Sequence, residues 1–236
     1  MKSNILHTYD YLNDRKGSII PRSHVARGNA YYTSKLYDNL TYFYTQPIYI
    51  NYNNKKGKPM GRSRYKIYEP THPHFITCTV LNWIPLFTRK ESVEILIESF
   101  KYLQLTDNLK LYAYVILENH IHIVAQSDDI NKSMAKFKRH TARKLIMLLQ
   151  KENVKTILEQ LIFYKKAHKS DRPYQLWQEG IQPKLIQSDS MMTSKINYIH
   201  HNPVKRGYID EAAHWRYSSA RDYEGTCGLL EVERFW

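Results

Sequence analysis

His120-Ile121-His122 places two imidazoles two residues apart. On a strand such a pair projects from one side, where it can share a metal ion. The apolar run Leu111-Tyr112-Ala113-Tyr114-Val115-Ile116-Leu117 precedes it, and Glu118-Asn119 reads as a tight turn. The pattern predicts a β-hairpin whose second strand, His120–Gln126, carries both histidines on one face and Ile121 and Ile123 on the other. With eleven histidines in 236 residues an H-x-H also arises by chance, so the pair is only half a site. Tyr198 and Asn202, four apart in a segment of helical pattern, put a phenol and a carboxamide on one helical face. Because the chain has twenty tyrosines, any one of them is ordinary packing unless its surroundings argue otherwise.

The elements that must hold these groups follow from periodicity. His74-Phe75-Ile76-Thr77-Cys78-Thr79-Val80-Leu81 alternates and is β-branched, which predicts a strand. Residues 90–104 place Val93, Leu96, Ile97, Phe100 and Leu103 at helical spacing. After the hairpin, a long helix is expected over 131–151. Residues 153–171 read as a helical or loop insertion of no defined form, residues 177–180 as the end of a short strand, and 183–186 as another extended piece. Ser188-Asp189-Ser190 offers caps for a helix to about Asn202, which Pro203 and Gly207 bring to an end. The order β-α-β-β-α predicts an α+β fold, an antiparallel sheet with helices packed against it.

Thirty-five Lys and Arg against 22 Asp and Glu give a net charge of +13, which suits a polyanion better than a small acidic substrate. Nucleic acid is the leading partner class, with a basic but inert surface as the alternative. On the helix at 131–151, Met134, Phe137, Thr141, Leu145 and Leu148 fall on one side. Lys132, Lys136, Arg139 and Arg143 form a stripe on the other, with no acidic residue between Lys132 and Lys151. Such a face is either solvated or a phosphate contact. The same choice applies to Lys205 and Arg206.

Only Cys78 and Cys227 are present, far apart and in no C-x-x-C pattern, so neither a disulfide framework nor a zinc ribbon is expected. The N-terminus lacks the apolar core of a signal peptide and no stretch approaches a membrane span, so the expected location is the cytoplasm, with no membrane partner. Residues 1–59 differ from the rest: rich in Tyr and Asn, they hold no Glu and carry nine Lys or Arg against three Asp. They read as a basic extension with an extended segment near 42–50 and a polar linker over 51–59, and Met60 stands at the break as an alternative start. The main domain is expected over 60–225, with 226–236 as a C-terminal tail.

The run Tyr198-Ile199-His200-His201-Asn202-Pro203-Val204-Lys205-Arg206-Gly207 closely resembles the signature of the single-tyrosine HUH transposases, especially the REP-associated tyrosine transposase branch. Tyr114-Val115-Ile116-Leu117-Glu118-Asn119-His120-Ile121-His122-Ile123-Val124 resembles that family's strand, turn and H-x-H segment. Leu176-Trp177-Gln178 and His214-Trp215-Arg216-Tyr217-Ser218-Ser219-Ala220 are similar to further landmarks, in the family's order, across about 62–225.

The resemblance implies an HUH endonuclease fold with a ferredoxin-like or RRM-like core, and Tyr198 as nucleophile. It also implies a divalent metal, Mg²⁺ or Mn²⁺, held by His120, His122 and Asn202, with His201 as the alternative third ligand. On softness alone, two nitrogens and one oxygen suit zinc at least as well. The implied substrate is single-stranded DNA with hairpin ends, cut and rejoined through a 5′-phosphotyrosine, and both a homodimer sharing active sites and a chain acting alone are compatible. One departure stands out: relatives usually place an aromatic where this chain has Ile181. Two rivals remain, a domesticated module that binds hairpin nucleic acid without cutting and an unrelated H-x-H hydrolase.

Overall fold

The computed structural model describes residues 69–180 and 183–236. The expectations for 1–59, for Met60 and for Ile181 lie outside the described residues. Four strands form one antiparallel sheet: β1 (His74–Thr79), β2 (Lys110–Ile116), β3 (His120–Gln126) and β4 (Lys184–Leu185), in the spatial order β2-β3-β1-β4. The helix α1 (Lys90–Thr106) joins β1 to β2, and α2 (Ile130–Lys151) follows β3. With the βαββαβ chain order, this is the ferredoxin-like arrangement.

Strand alternation divides the protein into two cores. Ile76 and Cys78 of β1, Ile121 and Ile123 of β3, and Leu111, Tyr114 and Ile116 of β2 face α1 and α2, where Phe100 and Phe137 stack at 4.3 Å between ring centres. Phe75 of β1, Val115 of β2 and Val124 of β3 face the other way, onto Met192, Ile196 and Ile199 of α4 (Asp189–Lys205). A bulge in β2 between Leu111 and Ala113 puts both Tyr112 and Ala113 on the α4 side and restores alternation at Tyr114.

The segment without a predicted form contains a helix, α3 (Lys155–Phe163), which packs on α2. At nine residues the helix is short, and the charged run that follows it, Lys165-Lys166-Ala167-His168-Lys169, gives the whole segment a mixed character. The run at 177–180 is not the end of a regular strand: Trp177 makes a single bridge to Val80, and its indole N–H donates to Thr141 Oγ1 at 3.1 Å, inside the α2 core. The free edge of β2 is covered by the Trp215-Arg216-Tyr217-Ser218-Ser219 stretch, through Ile116 N–H to Tyr217 O (2.8 Å), Ser219 N–H to Tyr114 O (3.0 Å) and Trp215 Nε1 to Ile116 O (2.9 Å). The short helix α5 (Ala220–Tyr223) comes next. Beyond it, the expected tail docks on the domain: Leu230 is buried in the α1/α2 core, and Glu233 N–H donates to Leu111 O at 2.7 Å.

Candidate functional site

The two histidines lie on β3 facing α4, both buried, with ring centres 4.8 Å apart. Each has one ring nitrogen already engaged. Asn119 Nδ2 donates to the Trp83 carbonyl at 3.1 Å, so the amide oxygen is the end that meets His120 Nδ1 at 2.6 Å. An amide oxygen only accepts; Nδ1 of His120 therefore carries the proton and Nε2 keeps its lone pair. His122 is held by Thr77, its register partner on β1, whose hydroxyl Oγ1 lies 2.8 Å from Nδ1.

Burial pushes His120 down to about 4, helped by the charge of Arg206; burial, then His120, then Arg206 push His122 down to about 3. Both rings are neutral near pH 7, the form that ligates a metal. Two neutral imidazoles with fixed outer hydrogen bonds fit a divalent ion. Among the described residues no group of three His, Cys, Asp or Glu stands ready for one, so a further donor drawn from them is of another type, such as a carboxamide.

Helix α4 brings that type of group to the sheet. Ser188 caps it, its Oγ accepting from Met191 N–H at 3.2 Å, and the face with Met192, Ile196, Ile199, His200, Asn202 and Pro203 is buried. The helix does not stop near Asn202: it runs through Pro203 to Lys205. A proline in the last turn removes one intrahelical donor and leaves Val204 and Lys205 free to stay helical. The stop comes at Gly207, at φ +70°, with Gly207 N–H on Val204 O (2.9 Å) and Tyr208 N–H on Pro203 O (3.0 Å), the paired bonds of a Schellman cap.

Asn202 therefore lies on the buried side of α4, whereas His201 is exposed and its Nδ1 donates to Asn197 O at 3.0 Å. His200 is buried as well, 2.8 Å from Ser219 Oγ, and burial pushes it down to about 4. It ties the helix to the strand-edge segment.

Tyr198 is 40% exposed, and its ring sits edge-on to His122 (5.3 Å between centres) and to Phe75 (5.9 Å). Phe75 stacks on His122 at 5.5 Å, which holds both rings in place. Two ammonium groups flank the phenol: Lys195 Nζ lies 6.0 Å and Lys205 Nζ 5.9 Å from its ring centre. Lys195 was not singled out from the sequence, although its place one turn before Tyr198 was a usable signal. Phe75, Thr77 and Asn119 were also missed, because they belong to the site only through strand register and a turn.

The other expected phosphate contacts are elsewhere. Arg206 donates to Glu118 Oε1 at 2.6 Å, both side chains largely buried, and so links the end of α4 to the β2–β3 turn. The stripe on α2 lies on the far side of the sheet from Tyr198. There Lys132 pairs with Asp129 at 3.1 Å and Lys136 with Asp107 at 2.7 Å, while Arg139 and Arg143 line a surface groove with Tyr102 and His140.

Histidine pair, tyrosine helix and four-stranded sheet together define a fold that is already known. The chain superposes on a solved structure described as the REP-associated tyrosine transposase bound to a REP hairpin, with a TM-score of 0.50 and 17% identity, over 74% of this chain and 94% of that one. At that identity the likeness establishes the fold.

In sequence, the chain is related to a Haemophilus influenzae protein named "Putative REP-associated tyrosine transposase", 28% identical over 109 residues, or 45% of this chain. The match spans 56% of the relative's own length. No family model matches the chain. The family resemblance carried by the motifs thus has a named sequence relative and a structure of the same fold behind it.

Proposed function

We propose that the chain is a single-tyrosine DNA transposase that cleaves and rejoins single-stranded DNA with hairpin ends. The observation that carries this reading is the placement of Tyr198: half-exposed, edge-on to His122, on the helix that packs over the H-x-H strand. The sequence relative's name and the neighbour's hairpin point to the same class of chemistry and substrate.

In this mechanism the Tyr198 oxygen attacks a backbone phosphorus. The new bond is from the phenol oxygen to phosphorus, the bond that breaks is to the 3′-oxygen, and the departing oxygen ends as a hydroxyl with the proton that the phenol gave up. A 5′-phosphotyrosine remains. Its phosphodiester character is kept, so attack by another 3′-hydroxyl rejoins strands without a nucleotide cofactor. Lys195 and Lys205 attract the DNA backbone to the phenol, and Phe75 holds the ring against His122. His120, His122 and Asn202 would hold Mg²⁺ or Mn²⁺, which supplies Lewis-acid stabilisation of the phosphate when bound. The buried position of Asn202 and the outward, carbonyl-bonded His201 favour Asn202 as third ligand.

The test is covalent capture. Full-length protein is incubated with a hairpin-bearing single-stranded oligonucleotide and Mn²⁺, and the products are resolved under denaturing conditions. A protein–DNA adduct that vanishes with Tyr198→Phe is expected. Adduct that persists in Tyr198→Phe, or none with the native chain, overturns the reading, and binding without adduct in both points to a module that holds DNA without cutting.

A further inference from the structure

Trp83 is the feature beside the site that the mechanism leaves unused. It comes after β1 in a tight turn, Leu81–Trp83, and its side chain is 54% exposed although it stands edge-on to His120, 5.4 Å between ring centres. Asn82 and Trp83 are both left-handed, at φ 52° and φ 56°. Asn tolerates that region; for a bulky residue such as Trp it is an outlier that persists only where the surroundings enforce it.

The enforcement is visible. The Trp83 carbonyl accepts from Asn119 Nδ2 (3.1 Å), Trp83 N–H donates to Val80 O (3.0 Å), Val80 N–H to Asn119 O (2.9 Å) and Phe87 N–H to Glu118 O (2.8 Å). The turn is bolted to the same Glu118-Asn119 corner that orients His120. The fold therefore spends backbone strain to keep a large aromatic out of the core and fixed at the rim of the histidine pair.

Resting on the reading above, we propose that Trp83 is a stacking platform for an unpaired nucleobase next to the phosphate that Tyr198 attacks. An exposed indole on a hydrogen-bonded turn, in edge contact with His120, suits a base, which presents a π-face whatever its identity, and the chain's net charge of +13 suits the strand that carries it. Trp83 and Tyr198 lie on either side of the histidine pair, Trp83 against His120 and Tyr198 against His122. The indole, His120, His122 and the phenol follow one another at 5.4, 4.8 and 5.3 Å between ring centres, so a strand bound at the phenol can reach the indole.

The experiment measures binding apart from chemistry. Full-length protein in EDTA is titrated into a fluorescent hairpin oligonucleotide with mixed-sequence single-stranded flanks, and into the same hairpin with abasic flanks, by anisotropy. Trp83→Ala is expected to weaken binding to the intact flanks about tenfold and leave binding to the abasic flanks unchanged, with Trp83→Phe within about threefold of the native chain. If Trp83→Ala does not fold, Trp83→Asn, which accepts left-handed backbone, carries the same comparison. Equal binding by Trp83→Ala and the native chain, or an equal loss on both flanks, overturns the proposal. The adduct assay separates the two claims: adduct with no effect of Trp83 sinks the platform alone, whereas flank-dependent loss with no adduct keeps the platform and sinks the transposase.

Discussion

The two faces of one sheet are put to different uses. Towards α1 and α2 the strands show aliphatic and aromatic residues and Cys78, packed around Phe100 and Phe137, and the charge there is on the outside of α2. Towards α4 the same strands show Thr77, His120 and His122 beside a smaller apolar cluster of Phe75, Val115, Leu117 and Val124, and a single helix covers them with Tyr198 left half-open. Neighbouring residues such as Ile121 and His122 therefore face the larger core and the candidate site respectively, because a strand sends successive side chains to opposite faces. A two-helix layer can seal a core; a one-helix layer leaves an edge where a ligand enters.

That division has consequences that can be broken in order of size. His122→Ala is expected to cut adduct formation more than about a hundredfold, given that even outer partners of metal ligands cost about 10–100-fold. Phe137→Ala, one layer away, is expected to cost about 3–5 kcal/mol of stability. Urea unfolding and the adduct assay on both variants check this, and a His122→Ala chain as destabilised as Phe137→Ala would erase the distinction.

Acid should act chiefly through the α4 face, where His120, His122 and His200 are held at about 4, 3 and 4. Unfolded, these groups titrate near the ordinary 6.5. Between pH 6.5 and about 4 the unfolded chain thus binds more protons, and stability falls as pH falls, by up to about 1.4 kcal/mol per unit for each histidine. Metal-free protein unfolded in urea at a series of pH values should show a midpoint that declines below pH 6.5; a flat profile to about pH 4.5 would contradict the burial of these rings.

Arg206→Ala removes the partner of a Glu118 carboxylate whose other oxygen has no hydrogen bond among the described residues. About 1–3 kcal/mol should be lost, and Glu118→Gln with Arg206→Ala should recover part of it. Smallest of all, Arg139→Gln with Arg143→Gln should change adduct formation at saturating DNA less than about twofold, since both lie behind the sheet, while the salt slope of binding falls by up to about 2 if they touch phosphates.

The sheet, the hairpin and both long helices were legible from the alternation of 74–79 and 120–126, the apolar run of 111–117 with the turn after it, and the 3.6-residue period of 90–106 and 130–151. The helix α3 was not, since it is short and runs into a charged segment, and neither was the Trp215–Ser219 edge strap, which has no period and exists only as a partner for β2. Of the candidate site, His120 and His122 were marked by their spacing, and Tyr198 and Asn202 by helical spacing and the motif around them. Charge pattern alone did not locate the phenol's neighbours: of the cations singled out, Lys205 flanks it and the α2 stripe does not, while Lys195, which does, was not singled out. A helical wheel gives the angle of a side chain about its own axis; which layer the helix occupies is decided by the sheet.

The strap along β2 also bears on assembly. Sheets of two copies join most simply edge to edge, through backbone groups that have no partner yet. At Tyr114 to Ile116 those groups are already spoken for by Tyr217 and Ser219 of the same chain. Any pairing of two copies through that stretch has first to peel away the segment that also anchors His200 of the tyrosine helix, so association by this route would disturb the support of the helix that carries Tyr198.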